Sequence, residues 1–326
     1  LDITRSQKPE SLNQEFKLYF TLADDHIFSF EAQHLDQEEN PFSRAIRDRN
    51  PFTRLIPFSS SVNKYDVTQE RLVHTAKLEA KLDYYYLLND TSNINLSLGV
   101  TDVGQDFDSS FFQILDNGSL LNFNDPTFNN DVSFDFSDAY IALNYRLRTG
   151  IFTIDPGLTL HYYKTKNAQL GTSFERNISD VRPNLRINLQ FKKSESLRLT
   201  YRKNTQFTDI NNLAEGFVFS NYNSIFQGNR ELEAAVVNNY NLNYRSINQF
   251  TFTNIFANAN YSKRSNSIQS RANINGIDAI RTSTNSNFPR ETYSLSGRID
   301  KRFKNFKLNF STRFNFSDFT NEVNNQ

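Results

Sequence analysis

The sequence predicts an all-β protein, an antiparallel up-and-down transmembrane β-barrel. Apolar and polar residues alternate strictly along many stretches, which is the period of a strand with two different faces. These stretches are joined alternately by short polar turns and by much longer segments. Barrels that have tight turns on one side of a membrane show this pattern. Only 37% of the 326 residues are hydrophobic, yet 14% are aromatic. This composition suits a wall that is apolar on one side only.

The clearest hairpin lies at residues 181–202. Apolar side chains at Leu185, Ile187 and Leu189 alternate with polar ones, and the alternation resumes at Leu197 after a polar turn. In a soluble sandwich the apolar face would meet a second sheet. In a transmembrane barrel it meets lipid, and the polar face lines a lumen.

The same alternation predicts strands along the whole chain. The longest run, from Leu72 to Leu88, would extend roughly 55 Å, beyond the roughly 30 Å hydrocarbon core of a bilayer. A helix is the alternative there because Ala, Lys, Glu and Leu favour helices, but the strict period of two favours a strand. Between residues 250 and 261 the apolar positions change phase, which predicts a bulge. The predicted strands are residues 16–22, 26–34, 72–88, 93–100, 139–147, 151–164, 181–191, 197–202, 240–244, 250–261, 293–301 and 306–316.

Longer segments between the hairpins are predicted as loops. The first carries a basic cluster, and the second carries seven aspartates without Lys or Arg. We expect these two segments to pack as an electrostatic lid, because together they approach neutrality. The alternative is that the acidic segment binds Ca²⁺ or meets divalent-bridged lipopolysaccharide, although Asp116 lacks the remainder of a calcium loop. The predicted loops are residues 35–69 (with Arg44, Arg47, Arg49 and Arg54), 101–137, 166–180, 207–235 and 262–290, the last with a turn at Asn275–Gly276.

These elements form about six hairpins, each closed by a short turn and separated from the next by a longer segment. Outer-membrane barrels have tight periplasmic turns and long extracellular loops. Both ends of this chain would then lie outside the cell, whereas complete barrels begin and end in the periplasm. We therefore expect residues 1–326 to be the barrel portion of a larger protein, with a plug domain and the remaining barrel strands outside this segment.

Composition and motifs argue against several functional classes. Lys+Arg and Asp+Glu are both 36, so no net charge favours a nucleic-acid partner. Cys is absent, which removes thiolate nucleophiles and thiolate metal sites. The four His follow no ligand spacing, and no Ser-His-Asp set or phosphate-binding glycine loop occurs. We expect a protein that is not an enzyme, with no catalytic residues, no cofactor, no metal site and no nucleic-acid partner.

Several stretches resemble a known family. They are residues 182–187, 191–194, 197–202, 250–254 and 293–297, together with Gln227-Gly228-Asn229 and Leu232. They resemble the barrel of TonB-dependent-receptor-like outer membrane proteins of the Bacteroidota. The resemblance implies a barrel of about 22 strands around an N-terminal plug, located in the cell outer membrane. The chain departs from the family's usual Gly-Asn-Pro-x-Leu-x-Pro-Glu pattern: its Pro, Pro and Glu positions are occupied by Arg230, Ala234 and Ala235.

The candidate ligand-binding residues are four inward arginines, Arg146, Arg186, Arg198 and Arg202. Guanidinium groups bind anions, although contacts to a plug or to neighbouring strands are the alternative. Two functions stay open: binding or import of a bulky ligand across the outer membrane, and a structural or scaffolding barrel in a larger outer-membrane assembly or secretion complex. The implied partners are outer-membrane lipid or lipopolysaccharide, the plug domain of the same protein, and TonB with a surface lipoprotein or other outer-membrane subunits.

Overall fold

A computed structural model describes residues 1–50, 52, 55–221, 223–275, 278–318, 320, 322 and 323. Within these ranges nearly all secondary structure is strand, and no helix is long and apolar enough to cross a membrane. The elements are β1 (Asp2–Ser6), β2 (Glu10–Ala23), β3 (His26–Glu39), β4 (Phe42–Arg47), β5 (Tyr65–Asn89), β6 (Ser92–Ile114), β7 (Leu120–Asn122), β8 (Asn130–Thr149), β9 (Phe152–Gln169), β10 (Thr172–Lys192), β11 (Glu195–Gln206), α1 (Ile210–Leu213), β12 (Phe217–Asn221), β13 (Ser224–Gln227), β14 (Ala235–Asn248), β15 (Thr253–Ser265), β16 (Ile268–Asn275), β17 (Asp278–Asn285), β18 (Arg290–Phe303), β19 (Phe306–Asp318) and β20 (Glu322–Val323).

The long strands form one antiparallel wall in chain order. Hydrogen-bonded neighbours run β2-β3-β5-β6-β8-β9-β10-β11-β14-β15-β18-β19, while β4 pairs the far end of β5 and β1 pairs β4. A separate sheet has the order β12-β13-β17-β16-β20. The predicted all-β, up-and-down antiparallel architecture is confirmed.

The hairpin of β10 and β11 has the predicted register. Leu185 lies opposite Tyr201, Ile187 opposite Leu199 and Leu189 opposite Leu197. Because successive side chains of a strand point to opposite faces, these residues share the outer face of the wall and the intervening polar residues share its inner face.

An aromatic row marks the end of the apolar band on the outer face. Successive ring centroids in this row lie 4.8, 5.8, 4.7 and 6.2 Å apart. From Tyr293 to Phe303 the band of β18 covers about ten residues, or roughly 33 Å along the strand and about 25 Å along the axis of a tilted barrel. This height matches a lipid-facing band with an aromatic girdle at its edge. The row consists of Tyr201, Tyr240, Tyr261, Tyr293 and Phe316, and the next outward positions beyond it are Lys203, Asn238, Lys263, Glu291 and Asp318.

Two of the predicted loops are largely strand, so those predictions are wrong. Residues 35–69 contain the end of β3, all of β4 and the start of β5. Residues 101–137 contain the end of β6, all of β7 and the start of β8. Five of the seven aspartates therefore lie on strands, at outward positions beyond the apolar band. Outside the lipid an outward side chain need not be apolar, so the alternation that predicts a strand disappears while the strand continues.

The predicted loop at residues 166–180 is also wrong. Strands β9 and β10 continue through it and are joined by a two-residue turn at Leu170 and Gly171. Both residues have positive φ, 53° and 70°, which is the backbone of a type I′ hairpin turn. Only Gly171 signals such a turn in the sequence, because leucine disfavours this conformation.

The predicted bulge between residues 250 and 261 is absent from the described pairing. Strand β15 begins at Thr253 and pairs with β14 and β18 without a register shift. Phe250 and Phe252 instead belong to the turn before β15, and Phe252 has a φ of 47°. The change of phase thus reflects two aromatic residues in a turn.

The predicted loop at residues 262–290 holds the end of β15 and the β16–β17 hairpin, so it is largely strand. Of its expected turn at Asn275–Gly276, Gly276 lies outside the described residues.

The segment from 207 to 234 folds back over the inner face of the wall, and we call its described residues the cap. It holds α1, β12 and β13, so the loop predicted there has its own structure. Ile210, Leu213 and Val218 pack in one buried cluster with inner-face residues such as Phe107 and Phe134. The cap therefore covers part of the inner face near the end of the wall opposite the short turns.

Candidate ligand-binding surface of the lumen

Below the cap the inner face is polar and rich in amides. Asn184 of β10 donates to Asn144 of β8 at 3.3 Å, across Gly157 of the intervening strand β9. Asn258 donates to Asn243 of the neighbouring strand at 2.6 Å. Asn241 and Asn260 are direct partners between β14 and β15. The inner face therefore offers many neutral donors and acceptors to whatever fills the lumen.

A concavity of about 670 Å³ in this face contains three of the four predicted arginines, Arg146, Arg186 and Arg202. Arg146 donates to Asp155 through Nε at 2.7 Å, and the Nη1 of Arg186 lies 3.8 Å from the other oxygen of Asp155. The carboxylate of Asp155 thus forms ion pairs with two guanidinium groups. The register explains this grouping, since Asp155 lies between the two arginines on adjacent strands.

The other two predicted arginines have no acidic partner within the described residues. Arg202 lines the concavity and is exposed, and Asn184 and Asn239 are its neighbours across the strands. Arg198 lies nearer the short turns, outside the concavity, between Asn188 and Asn243. The inner face therefore carries more positive than negative charge in this region.

Sequence reasoning missed Arg182, which lines the same concavity. Its Nε lies 3.1 Å from Asp180, its Nη1 lies 3.4 Å from His161, and its guanidinium lies 5.2 Å from the ring centroid of Tyr163. The period-two pattern places Arg182 on the inner face, but its role depends on residues from the neighbouring strand. We infer that Arg182 fixes the wall locally.

A seam opens in the wall just above this network. Pairing between β10 and β11 ends at Asn184 and Arg202, and the farther part of β10 pairs only with β9. Side chains close the base of the seam: Lys203 donates to Asp180 at 2.6 Å and to the carbonyl of Val181 at 3.0 Å. Beyond Arg202, β11 pairs with β14 as far as Gln206 and the chain then enters the cap, so within the described residues the upper part of β10 has a strand partner on one side, β9.

Inner-face amides hold the cap by imitating a strand partner. The Nε2 of Gln69 donates to the carbonyl of Phe217 at 2.8 Å, and its Oε1 accepts from the N–H of Phe219 at 2.7 Å. Gln169 bonds the backbone of residues 213–215 in the same way, at 2.9 and 3.0 Å. Because these glutamines are buried, they satisfy backbone groups that water does not reach.

The family-like motif at Gln227-Gly228-Asn229 lies against the backbone at the end of helix α1, within the cap. Gly228 donates to the carbonyl of Ala214 at 2.7 Å, and a Cβ at this position would lie 2.4 Å from that oxygen. Arg230, which replaces the usual proline, pairs with Glu215 at 2.8 Å and donates to Thr172 at 2.6 Å. The departure from the motif therefore adds an ion pair within the cap and a hydrogen bond from the cap to the start of β10.

For Arg44, the predicted electrostatic lid is wrong in its partner. Arg44 pairs with Asp66 of the adjacent strand at 2.5 Å, and these hydrogen bonds raise the pKa of Arg44. Of the acidic segment, only Asp116 and Asp125 remain in a loop, where they accept from backbone N–H groups of Asn63 and Thr127. Arg54 lies outside the described residues. Within those residues, no group of three or more His, Asp or Glu side chains is placed to hold a metal ion.

Comparison with protein families gives one match. Residues 21–326 match the model of the outer membrane protein beta-barrel family. No curated protein matches the sequence at a significant level.

Several solved structures share the fold. The ferric yersiniabactin uptake receptor FyuA from Yersinia pestis is 12% identical with a TM-score of 0.56, over 98% of this chain and 43% of its own. The ferric-catecholate import receptor Fiu from K12 E. coli is 10% identical with a TM-score of 0.57, over 95% and 48%. The siderophore receptor PiuA from Acinetobacter baumannii is 12% identical with a TM-score of 0.56, over 97% and 48%. The chain thus spans less than half the length of these structures, and at such identities the likeness establishes the fold.

Proposed function

The chain belongs to the outer membrane protein beta-barrel family and lies in the cell outer membrane, and from that premise we propose that it forms the wall of a receptor that binds a bulky ligand in its lumen and imports it. The structurally similar proteins are described as uptake or import receptors. We carry that activity to this chain as a proposal, with energy supplied by TonB through a plug domain of the same protein.

The observation that supports this proposal is the unbalanced positive charge of the inner face. Arg146 and Arg186 share Asp155, while Arg198 and Arg202 have no acidic partner within the described residues. Both side chains are exposed, so their guanidinium groups can bind a carboxylate or phosphate group in a bidentate manner. We propose that Arg198 and Arg202 contact an anionic part of the ligand as it passes.

The experiment compares depletion of medium components by cells that carry the full-length protein, a deletion, or a variant. Mass spectrometry of the spent medium should show at least one component whose uptake requires both the protein and TonB. The double variant Arg198→Gln and Arg202→Gln should slow that uptake, whereas Arg313→Gln, which removes an inward arginine on the remote strand β19, should not. Uptake that is independent of the protein for every component would overturn the proposal.

One observation favours the alternative, a structural barrel within a larger outer-membrane assembly. Within the described part of the chain, the upper part of β10 is a strand edge that has no strand partner on the side away from β9. Free strand edges are templates for pairing with another chain, including a surface lipoprotein or another outer-membrane subunit. A stable complex on native gels, together with unchanged medium depletion in the deletion strain, would favour this alternative.

A further inference from the structure

A cavity of about 730 Å³ lies between the cap, the wall and the β16–β17 hairpin. Its volume is in the range of about 300–1,000 Å³ that is typical of small-molecule sites, and its lining mixes apolar and polar side chains. Aromatic rings line this one from two sides: Phe136 from β8, and Phe207 and Phe226 from the cap. The wall, the cap and the β16–β17 hairpin thus build the cavity together, and its cap side exists only while the cap is docked.

Arg264 of β15 also lines the cavity. It is partly buried on the inner face, and it makes no ion pair or side-chain hydrogen bond within the described residues. Asp209 lines the cavity as well, but its carboxylate accepts from the N–H of Asn212 at 3.2 Å and caps α1. A partly desolvated guanidinium without a partner favours an anion that enters the cavity.

Amides add further hydrogen-bonding capacity. Gln206 and Gln269 line the cavity, and their side chains make no hydrogen bond within the described residues. Gln105 uses its Nε2 to donate to Thr75 at 3.1 Å, which leaves its carbonyl oxygen as an acceptor. These groups can bind polar substituents around a charged centre.

We propose that this cavity binds an organic anion that has a flat or aromatic body, with its carboxylate on Arg264 and its body against Phe136, Phe207 and Phe226. This assignment rests on the proposed function, and it specifies the chemical class of the ligand. Apolar packing places the body, since aromatic pairs favour offset or edge contacts, and Arg264 selects the charge.

The test uses two probes of nearly the same shape, the anionic 6-fluoro-2-naphthoate and the neutral 6-fluoro-2-naphthamide. Their binding to the full-length protein in lipid nanodiscs is measured by fluorine NMR, with empty nanodiscs as the blank. The naphthoate should bind about tenfold more tightly or better, because a hydrogen bond to a charged group is stronger than a neutral one. Arg264→Gln should abolish this preference and leave naphthamide binding unchanged.

Two further variants control the result. Arg245→Gln removes an inward arginine of β14 that does not line the cavity, and it should preserve the preference. Phe226→Leu should weaken both probes. Equal binding of both probes to the unmodified protein, or binding no greater than to empty nanodiscs, would overturn the proposal. Failed import with intact probe binding would instead refute only the proposed transport.

Discussion

Replacing Gln69 with leucine tests whether buried amides hold the cap over the lumen. Leucine has nearly the volume of glutamine, so the change removes two hydrogen bonds without opening a large cavity. The carbonyl of Phe217 and the N–H of Phe219 would lose their partner, while Gln69 itself has 0% exposure. Water therefore cannot replace the lost bonds while the cap stays docked.

The magnitude follows from the cost of an unsatisfied buried polar group, about 1–3 kcal/mol each. Two such groups should lower the free energy of local cap opening by about 2–4 kcal/mol once small relaxations are allowed. Because about 1.4 kcal/mol corresponds to a factor of ten, exchange limited by cap opening should accelerate roughly 30- to 700-fold.

Hydrogen–deuterium exchange of peptides that cover residues 217–219 measures this change in nanodiscs. Gln105→Leu is the matched control, because Gln105 lies on the same inner face and bonds Thr75 instead of the cap backbone. Strand residues 196–200 should exchange at the same rate in all three proteins. Unchanged exchange at 217–219 in Gln69→Leu would refute the idea that amide clamps hold the cap.

Two further substitutions test the cap motif and the lipid face. Gly228→Ala should expose the cap to protease while the barrel remains folded, because the new Cβ would lie 2.4 Å from the carbonyl oxygen of Ala214. Gly104→Ala is the control: the atom nearest to its new Cβ would lie 3.9 Å away, so this variant should resist protease like the unmodified protein. Leu189→Arg should lower the free energy of unfolding by about 2–4 kcal/mol in a reversible urea titration in lipid vesicles if residue 189 faces the bilayer midplane. The inward change Asn188→Arg should lower it far less. Equal losses for the two variants would contradict the assignment of outer and inner faces.

The sequence predicts the membrane-embedded hairpins because lipid imposes a rule on every second residue. That rule stops at the aromatic row. On β6 the outward positions change from apolar Leu98 and Val100 to Asp102, and the strand nevertheless continues to Ile114. Period alone therefore predicts where a strand meets lipid, and it underestimates how far the strand extends into water.

The cap could not be predicted from local pattern. Gln69 bonds the backbone of Phe217 and Phe219 from 148 and 150 residues away, and the contact needs no particular residue type in the cap strand. Gly228 is a partial exception, because a glycine within a family-like motif signals a close backbone approach. Its partner, the carbonyl of Ala214, is fixed only in the folded chain.

The arginine site shows the same division between local and non-local information. A turn centred between Gly150 and Ile151 places Arg146 opposite Asp155, so the first ion pair follows from a hairpin that the sequence predicts. The second contact, from Arg186 to Asp155, needs the register of β9 against β10. That register is set by a tight turn whose first residue is a leucine with positive φ, which no propensity rule favours. The inward direction of each arginine could thus be predicted, whereas the charge that remains unpaired in the lumen emerges only once that turn is known.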